Sequence, residues 1–371
     1  MAKSLLIAFG TRPEVIKCAP IIKAFSKSKN WDVTTLHTGQ HTDLTEDIIE
    51  FFGIRVDHNL AIMEPGLSLD RLHSKLMKRT ADILDYCQPD FIMAQGDTLS
   101  VLSLAQSSYY RQIPFLHIEA GLRTYDALQP YPEELNRQMV SRIAAVNFCA
   151  TEKDALNLKN EKINSSQIHV VGNTVIDALF NTVEKVKHRQ ASLFKGHRFR
   201  ILATIHRREN HGQPLLGILE AIKKLSDDFS ETAEFVIPYH PNPAVKDKVL
   251  DYFAKSPNIN VVAPLSYPDM VKCMYDASFM MSDSGGMQEE APALGTPILV
   301  LRNTTEREAT LTAGVSKIVG TDTDAIYSEA KRLMTDSVAF KQMSKVALPY
   351  GQGDASSRIL AVMNSTIADN E

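Results

Sequence analysis

Short apolar and β-branched runs alternate with longer amphipathic stretches from one end of the chain to the other. That alternation specifies parallel strands joined by crossover helices, and it predicts an α/β protein. In the first half, strands are expected at residues 5–9, 33–37, 91–95, 115–118, 146–150 and 168–171. In the second half they are expected at 200–204, 234–238, 259–263, 279–282, 297–301 and 316–319. Open sheets seldom exceed about ten strands, so two sets of similar size imply two doubly wound sheets. The polar segment 173–197 reads as the crossover between them. The expected domains are residues 1–172 and 173–354, with a final helix at 355–371 returning to the first.

Composition narrows the function. The chain has 371 residues, 44% hydrophobic and 23% charged, which excludes disordered, collagen-like and disulfide-scaffold classes. A net charge of -4 and the lack of a dense basic block argue against nucleic acid as a partner. The longest apolar runs, such as 4–10 and 298–301, fall far short of the roughly 20 residues that span a bilayer. With no charged n-region followed by an apolar stretch at the start, a cytoplasmic protein without a membrane partner is expected. Cys18, Cys87, Cys149 and Cys273 are scattered, without a CxxC pair or nearby His ligands, and read as reduced, mostly buried thiols.

Ligands of doubly wound sheets bind outside the carboxyl ends of the strands, so the loops after the strands are where chemistry is expected. Those loops are heavily polar here, and two sheets facing each other with such edges would form one polar cleft between domains. Gly10-Thr11-Arg12-Pro13-Glu14 ends a strand and opens a helix, with Lys17 a turn further on. Free N–H groups and two cations there suit a phosphate, and the same residues also suit a capped helix. Asp283-Ser284-Gly285-Gly286 is a second such turn, where paired glycines allow close approach of a diphosphate and Glu290 is placed to accept from ribose hydroxyls. Neither turn is a Walker loop or a GxGxxG fingerprint, so no nicotinamide or flavin cofactor is expected, and the anion reads as the pyrophosphate of a nucleotide-activated metabolite. Asp97, Glu119 and Glu133 lie at or beyond strand ends, where gathered carboxylates divide into acids and bases; each also suits a cap or an ion pair. Arg123, Arg137, His206, Arg207 and Arg208 supply opposing charge. His41, His117 and His240 match no metal spacing, and no metal is expected.

These strings, together with Thr38-Gly39-Gln40-His41, His117 to Thr124, Pro132-Glu133-Glu134, His206 to Asn210 and Gln288 to Pro292, resemble the non-hydrolysing bacterial UDP-N-acetylglucosamine 2-epimerases, in order from about Leu5 to Asp322. The resemblance implies two Rossmann-like domains with a central cleft, arranged as in GT-B glycosyltransferases, a homodimer, and interconversion of UDP-N-acetylglucosamine and UDP-N-acetylmannosamine. By the same resemblance Asp97, Glu119, Glu133 and His206 are catalytic. Arg12, Lys17, Met270, Ser284, Gly285, Gly286, Glu290 and Arg307 hold the UDP-sugar. Gln40, His41, Lys75 and His240 form a second, allosteric site, in which Lys75 replaces a frequent Arg, a poor exchange where bidentate contact is needed. A hydrolysing epimerase and a GT-B glycosyltransferase are the alternatives, sharing the UDP site but differing in product or acceptor.

Overall fold

A computed structural model describes residues 2–40, 45–64 and 66–368 of the chain, with backbone alone for Arg208 and Ala244. The chain divides into two compact units, residues 1–178 with 350–371, and residues 179–349. The first holds seven strands: β1 (Lys3–Phe9), β2 (Trp31–His37), β3 (His58–Asn59), β4 (Phe91–Gln95), β5 (Phe115–Ala120), β6 (Val146–Cys149) and β7 (Ile168–Val170). The second holds six: β8 (Phe199–Thr204), β9 (Ala233–Pro238), β10 (Ile259–Val262), β11 (Phe279–Ser282), β12 (Ile298–Val300) and β13 (Ser316–Ile318). Their orders are β3-β2-β1-β4-β5-β6-β7 and β10-β9-β8-β11-β12-β13. The strand pairs run parallel. Both units are therefore Rossmann-like, the fold class expected from the sequence. The expected strands are all present; the two-residue β3 is the addition.

Alternation along the strands builds each core. In the second unit Ile201 and Ala203, Phe235 and Ile237, and Phe279 and Met281 project from one face of the sheet onto Ile218, Ile222 and Leu225 of helix Gln213–Asp228 and Ile326, Ala330 and Leu333 of helix Thr323–Thr335. In the first unit Leu6, Ala8, Ile92 and Ala94 pack on Leu72, Leu76 and Leu84 of helix Leu69–Cys87 and on Val101, Leu104 and Ala105 of helix Leu99–Tyr110.

The final helix, Ala355–Ala368, belongs to the first unit. Its start is fixed by Asp177, whose carboxylate accepts the N–H groups of Ala355 (3.2 Å) and Ser356 (2.9 Å) and the Ser356 hydroxyl (2.6 Å). Near its end Asn364 accepts the indole N–H of Trp31 at 2.9 Å. Trp31 in turn stands edge-on to Phe25 and Phe91.

Gly217 lies inside helix Gln213–Asp228, where alanine would ordinarily be preferred by about 1 kcal/mol. A Cβ there would lie 2.6 Å from the Thr321 carbonyl oxygen, and the Thr323 hydroxyl donates to the Gly217 carbonyl at 3.1 Å. Gly217→Ala is therefore expected to destabilise the second unit by about 1–3 kcal/mol, against helix propensity. Urea denaturation of the purified variant checks this; a higher midpoint than wild type would show that the helix pair can part without cost.

Candidate active site

In each sheet the strand order reverses about its first strand, between β1 and β4 in one and β8 and β11 in the other. Loops leaving the two strands at such a point diverge to opposite faces and open a crevice at their carboxyl ends. In the first unit β1 leads into Gly10 to Glu14, β4 into Gly96-Asp97-Thr98, and β5 ends at Glu119. The N–H groups of Gly10 (2.6 Å) and Thr11 (2.8 Å) donate to the Glu14 carboxylate, as does the Thr98 hydroxyl (2.6 Å). Two of the N–H groups expected to await a phosphate are thus taken by Glu14 itself, through a capping box with Thr11. Burial raises the Glu14 carboxyl despite these donors. Arg12 and Lys17 sit on the helix that follows, Arg12–Ser26, with Lys17 buried and its ammonium 2.5 Å from Glu119 Oε1.

Glu119 has a backbone φ of 64°, in the left-handed region, where the β5–β6 register shifts. Its carboxylate also accepts from Asn173 Nδ2 at 2.7 Å and from Gln95 Nε2. Asp97 is held through its main chain: Asn136 Nδ2 donates to its carbonyl at 2.9 Å, and His117 Nε2 donates to the Gly96 carbonyl at 2.8 Å. Burial lowers the His117 pKa to about 4, so near neutrality the ring is uncharged with its proton on Nε2. The Asp97 side chain meets Arg137 Nε at 3.1 Å. Burial, reinforced by Glu119 and Glu133 and opposed by Arg137 and Lys17, raises the Asp97 pKa to about 6. Asp97, Glu119 and Glu133 thus share one electrostatic neighbourhood, with Lys17 and Arg137 as its cations. Arg123 does not join them: it is buried in a two-pronged pair with Glu161 (2.7 and 2.9 Å). Glu134 is structural, accepting the N–H groups of Thr124 and Tyr125 and the Gln138 amide.

In the second unit Asp283, fully buried at the end of β11, organises the loop after β8. Its carboxylate accepts the N–H groups of His206 (3.0 Å) and Arg207 (2.9 Å) and the Asn210 amide (2.8 Å), and Asn210 also donates to the Leu301 carbonyl (3.1 Å). The His206 ring lies 5.7 Å from that of His240, which neighbours His211 at 5.9 Å. Ser284 caps helix Gly285–Ala293, with Gly285 and Gly286 in its first turn. A Cβ on Gly285 would lie 3.2 Å from the guanidinium carbon of Arg307, so glycine lets the guanidinium approach the helix start closely. Arg307 pairs with Glu289 (2.9 Å) and Glu306. Burial would raise Glu306, but Arg307, its own N–H, Arg302 and Arg207 hold it down at about 2. Burial and the neighbouring Arg302 lower the pKa of Arg207. Glu290, expected to meet a ribose, accepts from the Tyr267 hydroxyl at 2.8 Å, and Met270 is buried on the same helix as Tyr267, Tyr267–Asp276.

The four residues expected to form a second site come from both units. Gln40 (accepting from Ser100 at 2.8 Å) and Lys75 (donating to the Ile62 carbonyl at 2.9 Å and to Glu64 at 2.5 Å) lie in the first unit. His240 lies in the second beside His206, and His41 falls outside the described residues. Among the described residues no group of three or more His, Cys, Asp or Glu could hold a metal ion, and no helix is long and apolar enough to cross a membrane. The residues that sequence reasoning missed are Glu14, Gln95, Asn173 and the anchoring role of Asp283. Thr11 to Glu14 has the Thr-x-x-Glu spacing of a capping box, and Asp283 stands at a strand end before Ser-Gly-Gly; both signals are local.

Known proteins resemble the chain in sequence and in fold. Residues 23–364 match the sequence model of the UDP-N-acetylglucosamine 2-epimerase family. The chain is 38% identical over 375 residues to the UDP-N-acetylglucosamine 2-epimerase of Campylobacter jejuni (98% of each chain), and 37% identical over 374 residues to that of Escherichia coli K12 (98% of this chain, 99% of the other). A crystal structure of UDP-GlcNAc 2-epimerase from Neisseria meningitidis bound to UDP-GlcNAc superposes with a TM-score of 0.92 at 37% identity, covering 98% of this chain and 100% of that one. With the same paired parallel sheets and likeness running the whole length of both chains, this protein belongs to the UDP-N-acetylglucosamine 2-epimerase family.

Proposed function

We propose that the protein interconverts UDP-N-acetylglucosamine and UDP-N-acetylmannosamine without net hydrolysis, in the cytoplasm, to supply precursors for a surface polysaccharide. The observation that carries this reading is the carboxylate group Asp97, Glu119 and Glu133 at the strand ends of the first unit, beside Lys17. Carbon 2 of the sugar has no adjacent carbonyl, so direct removal of its hydrogen faces a large barrier. Breaking the anomeric C–O bond first places positive charge on carbon 1 and acidifies the neighbouring C–H. One carboxylate takes that proton as the C–O electron pair leaves with UDP, giving 2-acetamidoglucal. A second carboxylic acid returns a proton to carbon 2 from the opposite face, and UDP adds back to carbon 1. Asp97, held near 6, is suited to carry a proton in either direction.

In this reading Ser284, Gly285, Gly286 and Arg307 receive the diphosphate, since a helix start and a guanidinium stabilise the charge that grows there. Glu290 and Met270 border the nucleoside, Arg12 and Lys17 add cations, and His206 protonates or hydrogen-bonds the leaving oxygen. Gln40, His41, Lys75 and His240 remain assigned to an activating site.

Proton NMR of the protein with UDP-N-acetylglucosamine in deuterated water tests the reaction: deuterium is expected at carbon 2 of a UDP-linked mixture of both sugars. Free N-acetylmannosamine with UDP would establish the hydrolysing reaction instead, and transfer of the sugar intact to an acceptor a glycosyltransferase. Asp97→Asn, Glu119→Gln and Glu133→Gln are each expected to slow turnover by on the order of 10²-fold or more with the fold intact.

Asp97 also makes a pH prediction. Its folded pKa, about 6, exceeds its ordinary 3.8, so the folded state holds a proton that the unfolded chain has released, and stability falls as pH rises between those values. The full rise corresponds to up to about 3 kcal/mol, present below pH 4 and lost above pH 6. Relative to wild type, Asp97→Asn should therefore gain stability from pH 4 to pH 7; parallel stability curves would mean that Asp97 titrates normally.

The assembly is proposed to be a homodimer formed through the face of helices Leu99–Tyr110 and Glu133–Ile143. Tyr109, Tyr110 and Leu135 are exposed on these helices and Tyr125, Leu128 and Tyr131 on the segment before the second, and Tyr125 and Leu135 line a cavity of about 570 Å³ together with Met139, Ile143 and the polar Gln138 and Arg142. Exposed aromatic and apolar side chains in such number suit an association surface. Sedimentation should give a dimer for wild type and a monomer for Tyr110→Glu combined with Leu135→Glu; a dimer in both would place the interface elsewhere.

A further inference from the structure

The geometry points to Asn173 as a positioning residue for the Glu119 carboxylate, one that ties this carboxylate to the two chain segments joining the units. Its catalytic meaning rests on the reaction proposed above. Asn173 is buried, just before helix Thr174–Val186, and each polar group of the residue has a separate task. Oδ1 accepts the Val175 N–H at 3.0 Å and so caps the helix that leads into the second unit. Nδ2 donates to Glu119 Oε1 at 2.7 Å. The main-chain N–H donates at 2.6 Å to the carbonyl of Tyr350, the first residue of the returning segment.

The outgoing and returning segments are held together on either side of that bond. Gly172 and Gly351 meet closely enough that a Cβ on Gly351 would lie 3.1 Å from Gly172 Cα. Asp177, a turn beyond Asn173, accepts the N–H groups of Ala355 and Ser356. A change in the path of either segment therefore reaches the Glu119 oxygen through one side chain. Only an amide does both jobs: aspartate would cap the helix and repel Glu119, and serine would cap it and fall short. Lys17 shares Oε1 and Gln95 holds the other oxygen, so the Asn173 donor completes a fixed orientation for a carboxylate already on a left-handed backbone. Among the described residues, titratable groups that feel Glu119 include Lys17, Asp97, the uncharged His117 ring and the Cys18 thiol.

Asn173→Ser and Asn173→Asp both keep a capping oxygen, so Asn173→Ser should unfold close to the wild-type temperature and Asn173→Asp, which sets a second carboxylate beside Glu119, at a lower temperature near neutral pH but still as a folded protein. In each, kcat should fall roughly 10- to 100-fold while KM for UDP-N-acetylglucosamine and the affinity for UDP stay within about threefold. The Glu119 carboxyl, followed by carbon-13 NMR in glutamate-labelled protein, should titrate at higher pH in both variants, and further up in Asn173→Asp, because a donor to the charged form has gone. An unmoved titration in Asn173→Asp, or a KM change at constant kcat, would overturn the positioning role. Gly351→Ala perturbs the joined segments without altering any group on Glu119. It should move the same titration, and its effect should be non-additive with Asn173→Ser; strict additivity would refute the tie to the joining segments. The titration needs no substrate, so absence of turnover in wild type would count against the proposed reaction and leave the placement of Asn173 to be decided on its own.

Discussion

Carboxylates brought into a shared, poorly hydrated place repel one another and resist ionisation, and the first unit is built around meeting that constraint. Glu14 is held by two main-chain N–H groups and a threonine hydroxyl, and Glu119 by an ammonium and two amides. Asp97 has the Arg137 guanidinium in contact, with the Lys17 charge, against two neighbouring carboxylates. The donors come from different strands and helices, so the charges can be gathered only once the sheet has formed. Burial and those neighbouring carboxylates leave the Asp97 pKa raised to about 6. A carboxyl so perturbed in the loop after a strand is the kind of group that proton transfer requires.

The second unit uses the opposite economy. Asp283 is wholly buried, yet its oxygens are shared among two main-chain N–H groups and an amide, all from the loop after β8. That one side chain fixes where His206 stands, while its successors Ser284 and Gly285 open the helix start beside Arg307. Two loops leaving neighbouring strands are thereby locked into one rigid group.

Much of this was legible in the sequence because the signals are local. Strand ends fall within two residues of expectation, since buried parallel strands leave continuous apolar runs; β3 escaped because two residues leave no pattern. Asp97, Glu119, His206 and Ser284 could be placed at strand ends for the same reason. Thr11 to Glu14 suited both a phosphate and a capped helix, and the structure shows the capping box. What could not be read was which distant groups meet. Asn173 and Glu119 are 54 positions apart, and no periodicity brings an amide to a particular carboxylate oxygen.

The first unit is discontinuous in sequence: its last helix is separated from the rest by the whole of the second unit. On a ribosome, Trp31 is made early and its hydrogen-bond partner Asn364 almost last, while Asp177 waits for Ala355 and Ser356. The second unit, contiguous along the chain, can fold as soon as it emerges. The order of synthesis therefore lets the second unit mature first, while the first closes only when the final helix has arrived.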